Sequence, residues 1–138
     1  MSRLVILDSE AVSALSSPQH AKAATVLAHL KVAATRRRKG MPLGVVVPTS
    51  VRVEAGWDRT APSWSFANSL RIADQPLDTG AANCAAGMSA RLQVSVVDAH
   101  LGATIAAAPV GDVVTVLTSD PQDLSAVSGG RRVNVVAL

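Results

Sequence analysis

The 138-residue sequence has no tyrosine, one phenylalanine and two tryptophans. So few aromatics exclude a single-strand binder that stacks bases on aromatic side chains. The one cysteine, Cys84, cannot close an internal disulfide, and a reducing, cytoplasmic setting is expected. His20, His29 and His100 have no ligand-like spacing with Cys84, which excludes the usual Cys/His zinc site. No run of about 18 uncharged apolar residues occurs, so no membrane-spanning helix is expected. The apolar stretch 4–7 meets Asp8 too soon to serve as a signal peptide. Glycine follows no fixed period, which excludes a collagen-like chain.

What is present describes a globular chain. Hydrophobic residues make up 49% and charged residues 17%, with a mean hydropathy of +0.30. That is too apolar for a disordered segment, and the length suits one domain, 1–138. Thirteen Lys and Arg against ten Asp and Glu leave a formal charge of +3. Such an excess mildly favours a polyanionic partner.

Short apolar runs at 4–7, 43–47, 94–97 and 113–117 read as strands, with a weak one at 71–73 and a last one at 132–136. Helical spacing or helix-start residues mark 8–15, 20–34, the stretch opened by Pro48-Thr49-Ser50, 79–92, 99–108 and the segment after Pro121. Residues 64–70 read as helical or irregular. Strands alternate with helices, which implies a three-layer α/β/α sandwich with a mostly parallel central sheet.

The ten acids are few enough for their places to matter. Asp8 and Asp98 end strands, Asp120 follows one, and Glu54 lies about one turn into a helix after another. Parallel strands would bring these four carboxylates to one sheet edge, where sites of open parallel sheets gather. Taken singly, Asp8, Asp98 and Asp120 also read as helix caps, and Glu54 as an acid near a helix start. Taken together they repel, and a hard divalent cation would neutralise them. Metal-activated water can then hydrolyse a phosphodiester.

The pieces Val5-Ile6-Leu7-Asp8, Val47-Pro48-Thr49-Ser50-Val51-Arg52-Val53-Glu54-Ala55, Val97-Asp98-Ala99 and Leu117-Thr118-Ser119-Asp120-Pro121-Gln122-Asp123-Leu124 occur in an order that resembles PIN-domain proteins, in particular VapC-type toxin ribonucleases. The resemblance spans nearly the whole chain. It implies a Mg²⁺- or Mn²⁺-dependent endoribonuclease, the toxin of a toxin–antitoxin pair, with RNA as substrate, a small antitoxin protein as partner and a homodimer as assembly. It implies Asp8, Glu54, Asp98 and Asp120 as the catalytic acids, with Asp8, Asp98 and Asp120 as metal ligands. Thr118, Ser119 and Asp123 would support them. Ser9-Glu10 departs from the family's small polar pair after the first acid, and His100 departs from its apolar or aromatic residue after the third.

Other features have competing accounts. Arg36, Arg37, Arg38 and Lys39 could hold RNA phosphate or simply suit a helix C-terminus. Arg52 could face substrate or pair with an acid. Trp57 and Trp64 read as core more than as interface. Cys84, Gly87 and Ala90 are expected to be packed. His100 is expected to be packed or solvated rather than a proton shuttle. A receiver-like phosphoacceptor would need a late lysine, and Lys22, Lys31 and Lys39 all come early. A non-catalytic PIN-like RNA- or protein-binding module would have no need of four repelling acids.

Overall fold

The structure, a computed structural model, describes residues 3–40 and 43–138, apart from the side chains of Arg37 and Leu43. Strands β1 (Arg3–Leu7), β2 (Leu43–Pro48) and β4 (Val113–Thr118) are runs rich in Val, Ile and Leu. Such runs suit strands covered on both faces. With β3 (Ala73–Gln75) and β5 (Val133–Ala137) they form a parallel five-stranded sheet in the order β3-β2-β1-β4-β5.

Successive side chains of a strand point to opposite faces, and two cores result. Val5, Leu7, Val45 and Val47 pack under α1 (Ser9–Ala14), α2 (Ala23–Arg38), α3 (Thr49–Ala55) and α4 (Ser65–Asn68). Ile6, Val114 and Val116 pack on the other face, under α5 (Thr79–Leu92), α6 (Val96–Ala107) and α7 (Pro121–Val127). The architecture is the α/β/α sandwich that the alternation of elements implies. The chain runs outward from β1 to β3, then crosses back to β4 and β5. Right-handed crossovers leading in opposite directions put their helices on opposite faces. The reversal falls between β1 and β4, and their carboxyl ends border the crevice where such sheets bind ligands.

Several expectations need correction. Residues 94–97 are not a strand. Ser95 caps α6, its Oγ accepting from Asp98 N at 3.1 Å, so Val96 and Val97 are already helical. Asp98 thus sits in the first turn of a helix rather than at a strand end. Strand β3 covers Ala73–Gln75 instead of 71–73. Cys84, Gly87 and Ala90 are exposed on α5. The close-packed glycine is Gly102 of α6, where an added Cβ would meet Val127 of α7 at 2.9 Å.

The short edge strand β3 is fastened from outside. Arg52 and Arg59 each reach Asp74 at 2.9 Å. The Arg59 guanidinium lies 4.3 Å from the centre of the Trp57 ring, which stacks on Trp64 at 5.9 Å. Trp57 is buried and donates from Nε1 to Asn68 Oδ1 at 2.8 Å. The tryptophans are therefore core, and Arg52 pairs with an acid.

Candidate active site

The crevice between β1 and β4 opens into a cavity of about 270 Å³. Asp8, Glu54, Asp98, Asp120 and Asp123 all line it, together with Ser9, Ser95, Thr118 and Ser119. Four separate segments contribute these oxygens. Asp8 follows β1 directly and its main-chain N–H donates to Leu117 O of β4 at 3.1 Å. This bond continues the ladder past the strand end and anchors the carboxylate at the switch between the two halves of the sheet.

Asp8 is held on several sides. Its Oδ1 accepts from Ala11 N at 3.1 Å as the cap of α1, and its Oδ2 accepts from Ser119 N at 3.3 Å. Thr118 is buried; its hydroxyl bonds Asp8 and accepts from Asp120 N at 3.0 Å. Burial pushes the Asp8 carboxyl above its usual value, against the opposing pull of these hydrogen bonds. Thr118 and Ser119 thus both support Asp8.

Asp120 caps α7, accepting from Asp123 N at 3.3 Å, with Pro121 in the first turn where a missing N–H costs nothing. The Asp123 carboxyl is raised by its hydrogen bond with Asp120 and then by the charges on Asp120 and Asp98. Like charges crowd here without a cation between them.

Asp98 lies in the first turn of α6, where the helix dipole favours an acid, but Glu54 is less easily explained as a structural acid. Glu54 is exposed in the last turn of α3, not near its start. A helix C-terminus disfavours an anion, so the dipole account fails for it. Among the described residues, no Lys or Arg forms an ion pair with Glu54, Asp98, Asp120 or Asp8. Glu10 points away from the group and pairs with Lys22 at 2.9 Å.

The four acids line one cavity, yet they are not a ready-made ligand set. Among the described residues, no three His, Cys, Asp or Glu side chains stand close enough to share one metal ion. The donors are all oxygens, which suits a hard cation that keeps several of its waters and binds through one or two carboxylates.

The basic residues lie elsewhere. Arg36 and Arg38 end α2, with Lys39 just beyond, and the chain then enters β2 at its amino end. They therefore sit at the sheet edge opposite the cavity, roughly 17–20 Å away along a strand. The side chain of Arg37 lies outside the described residues. Arg52 is turned toward β3.

Sequence reasoning did not single out Ser95 or the pairing of Ser50 with His100. Ser95 could have been found from the spacing Ser95-x-x-Asp98, a helix-start signature. His100 is fully buried, and its Nδ1 lies 2.7 Å from Ser50 Oγ in a hydrogen bond. Burial lowers its pKa, and the Pro76 carbonyl and the Asp78 charge oppose this more weakly. Its Nε2 is buried without a hydrogen bond of standard geometry.

Among the described residues, no helix is long and apolar enough to cross a membrane. No family model matches the chain, and no curated protein matches it.

Proposed function

We propose that the protein is a metal-dependent endoribonuclease of the toxin type. The observation that carries this reading is the convergence of Asp8, Glu54, Asp98 and Asp120, from four distant stretches of chain, on one cavity at the switch point of the sheet. Two of the acids double as helix caps. Asp98 suits the first turn of α6, but Glu54, exposed in the last turn of α3, is left unexplained by a helix-end account.

Asp8, Asp98 and Asp120 are the candidate ligands for Mg²⁺ or Mn²⁺, one or two of them binding the ion directly while it keeps its other waters. When bound, such an ion activates water and neutralises charge on a phosphodiester. Asp8 is the fixed member, positioned by Ala11, Thr118 and Ser119. Asp120 is oriented by Thr118 and by its cap on α7. Glu54 faces the same space from α3 and can orient the attacking water or accept its proton. Asp123 supports Asp120 through their shared hydrogen bond. The hydroxyls of Ser9 and Ser95 add neutral donors for substrate oxygens.

In this reading the partners are RNA and an antitoxin protein that blocks the acidic cavity, with a homodimer as the assembly and the cytoplasm as the compartment; these rest on the motif resemblance. An arginine of the antitoxin would suit the cavity, since a guanidinium can satisfy two carboxylate oxygens at once. Arg36, Arg38 and Lys39 could touch only RNA that extends around the sheet edge. That no three acids among the described residues stand close enough to share one metal ion favours a second reading, a non-catalytic RNA- or protein-binding module.

The test is cleavage of structured RNA by purified protein with Mn²⁺ or Mg²⁺, beside EDTA and Asp98→Asn. The nuclease reading expects cutting that EDTA and Asp98→Asn both abolish. Cutting that survives in Asp98→Asn refutes it. No cutting and no metal uptake would leave the binding module.

A further inference from the structure

Helices α3 and α6 meet across the floor of the cavity, and their contact contains a buried polar link. Ser50, in the first turn of α3, shares a 2.7 Å hydrogen bond with His100, which is fully buried in α6. An apolar side chain would fill this position without stranding a ring nitrogen. The imidazole instead bonds Ser50 through Nδ1, while Nε2 makes no hydrogen bond of standard geometry and the Pro76 carbonyl is the ring's other polar neighbour. A buried polar group whose hydrogen bonding is incomplete calls for an explanation.

The placement supplies one. Ser50 stands four residues before Glu54, so the two lie on the same side of α3 one turn apart. His100 stands two residues after Asp98. The link therefore joins the two helices that carry Glu54 and Asp98. Helix α3 is only seven residues long, with Val51 buried in the core and Arg52 of its last turn tied to Asp74; the Ser50 bond fixes its first turn against α6. Thr49 adds a second tie, accepting from Leu77 N at 3.3 Å. Among the described residues, no Lys or Arg forms an ion pair with Glu54 or Asp98.

We propose that Ser50 and His100 are positioning residues, and that their bond sets the distance at which Glu54 and Asp98 face each other across the cavity. The inference rests on the nuclease reading above. Neither residue touches substrate. They act as the outer partners of metal ligands do, by fixing the elements that carry the inner ones.

The experiment follows Mg²⁺ binding by the shifts of backbone amides near Asp98 and Glu54, beside RNA cleavage. Wild type is compared with Ser50→Ala, His100→Ala and His100→Asn. Asparagine can place a polar atom near the position of Nδ1 and restore the link. The Mg²⁺ midpoint is expected to rise about tenfold in Ser50→Ala and His100→Ala, and to return close to wild type in His100→Asn. The double variant should be no worse than either single one, because one interaction is lost in each. Ser50→Ala keeps the test open should His100→Ala fail to fold. A merely structural link would lower the melting temperature and leave the midpoint unmoved, which would overturn the positioning role while the nuclease reading stands. A wild type that takes up no Mg²⁺ overturns the nuclease reading, and this inference falls with it.

Discussion

Two glycine-to-alanine substitutions should move stability in opposite directions. Both Gly87 and Gly102 lie inside helices, α5 and α6. Replacing an interior helical glycine by alanine gains about 1 kcal/mol where the new methyl meets nothing. At Gly87 an added Cβ has no neighbour within 4 Å, so Gly87→Ala should gain most of that. At Gly102 the same atom would lie 2.6 Å from Met88 Sδ and 2.9 Å from both Cβ and the carbonyl oxygen of Val127. The methionine can swing aside, but the Val127 backbone cannot move unless α7 moves with it. Overpacking of this kind costs about 1–3 kcal/mol. Set against the helix-propensity gain, Gly102→Ala should lose up to about 2 kcal/mol net. Urea denaturation checks both values, provided the slope is unchanged. Thermal melting should separate the variants in the same order, at roughly 3–5 °C per kcal/mol for a chain of this length. A Gly102→Ala protein as stable as Gly87→Ala would refute the tight contact of α6 with α7. A destabilised Gly87→Ala would refute the open outer face of α5.

Three further outcomes follow from the geometry. Arg131 donates to the carbonyls of Ile105, Ala108, Pro109 and Asp112 at the end of α6; Arg131→Ala should cost about 1.5–3 kcal/mol in urea denaturation, with Arg131→Lys recovering little of it because it lacks the planar fork. Ser95→Ala should cost about 1 kcal/mol by removing the cap of α6, read as a lower denaturation midpoint with the fold retained by circular dichroism. The Asp123 carboxyl titrates above its ordinary value, so the native state holds that proton to higher pH than the unfolded chain does. Its stabilising contribution is present at low pH and lost as pH rises through the native value; Asp123→Asn should therefore melt higher than wild type at neutral pH without divalent ions, and the gain should vanish in acid and shrink in salt.

The parts of the fold legible in the sequence are those carried by local pattern. The Val, Ile and Leu runs of β1, β2 and β4 state their burial outright. The cap at Asp78, whose Oδ1 accepts from Ala81 N at 2.9 Å, places the start of α5. The four acids were legible as a group because each sits a residue or a turn from an element boundary. Asp98 reached the right edge for a partly wrong reason: the β-branched run 94–97 looks like a strand, and the capping serine inside it decides otherwise. The weak edge strand β3 was misplaced because its pairing depends on arginines brought from other elements. The exposed face of α5 was misread because alanine and glycine pack equally well on either side of a helix. The Ser50–His100 pair, 50 positions apart, has no local signature at all.

The order of the sheet also has a temporal meaning during synthesis. Strand β1 is made first and becomes the central strand, yet its second neighbour, β4, begins only at Val113. At roughly 5–20 residues per second, one edge of β1 waits on the order of ten seconds for its partner. The three strands made early form a half-sheet with an unpaired apolar edge, a template for mispairing. The same delay withholds Asp120, and with it half of the acidic crevice. A ribosome-bound chain thus carries Asp8, Glu54 and Asp98 before it owns the wall that would complete the cavity. The cavity is complete only once β4 and α7 have brought Thr118, Ser119, Asp120 and Asp123 to it.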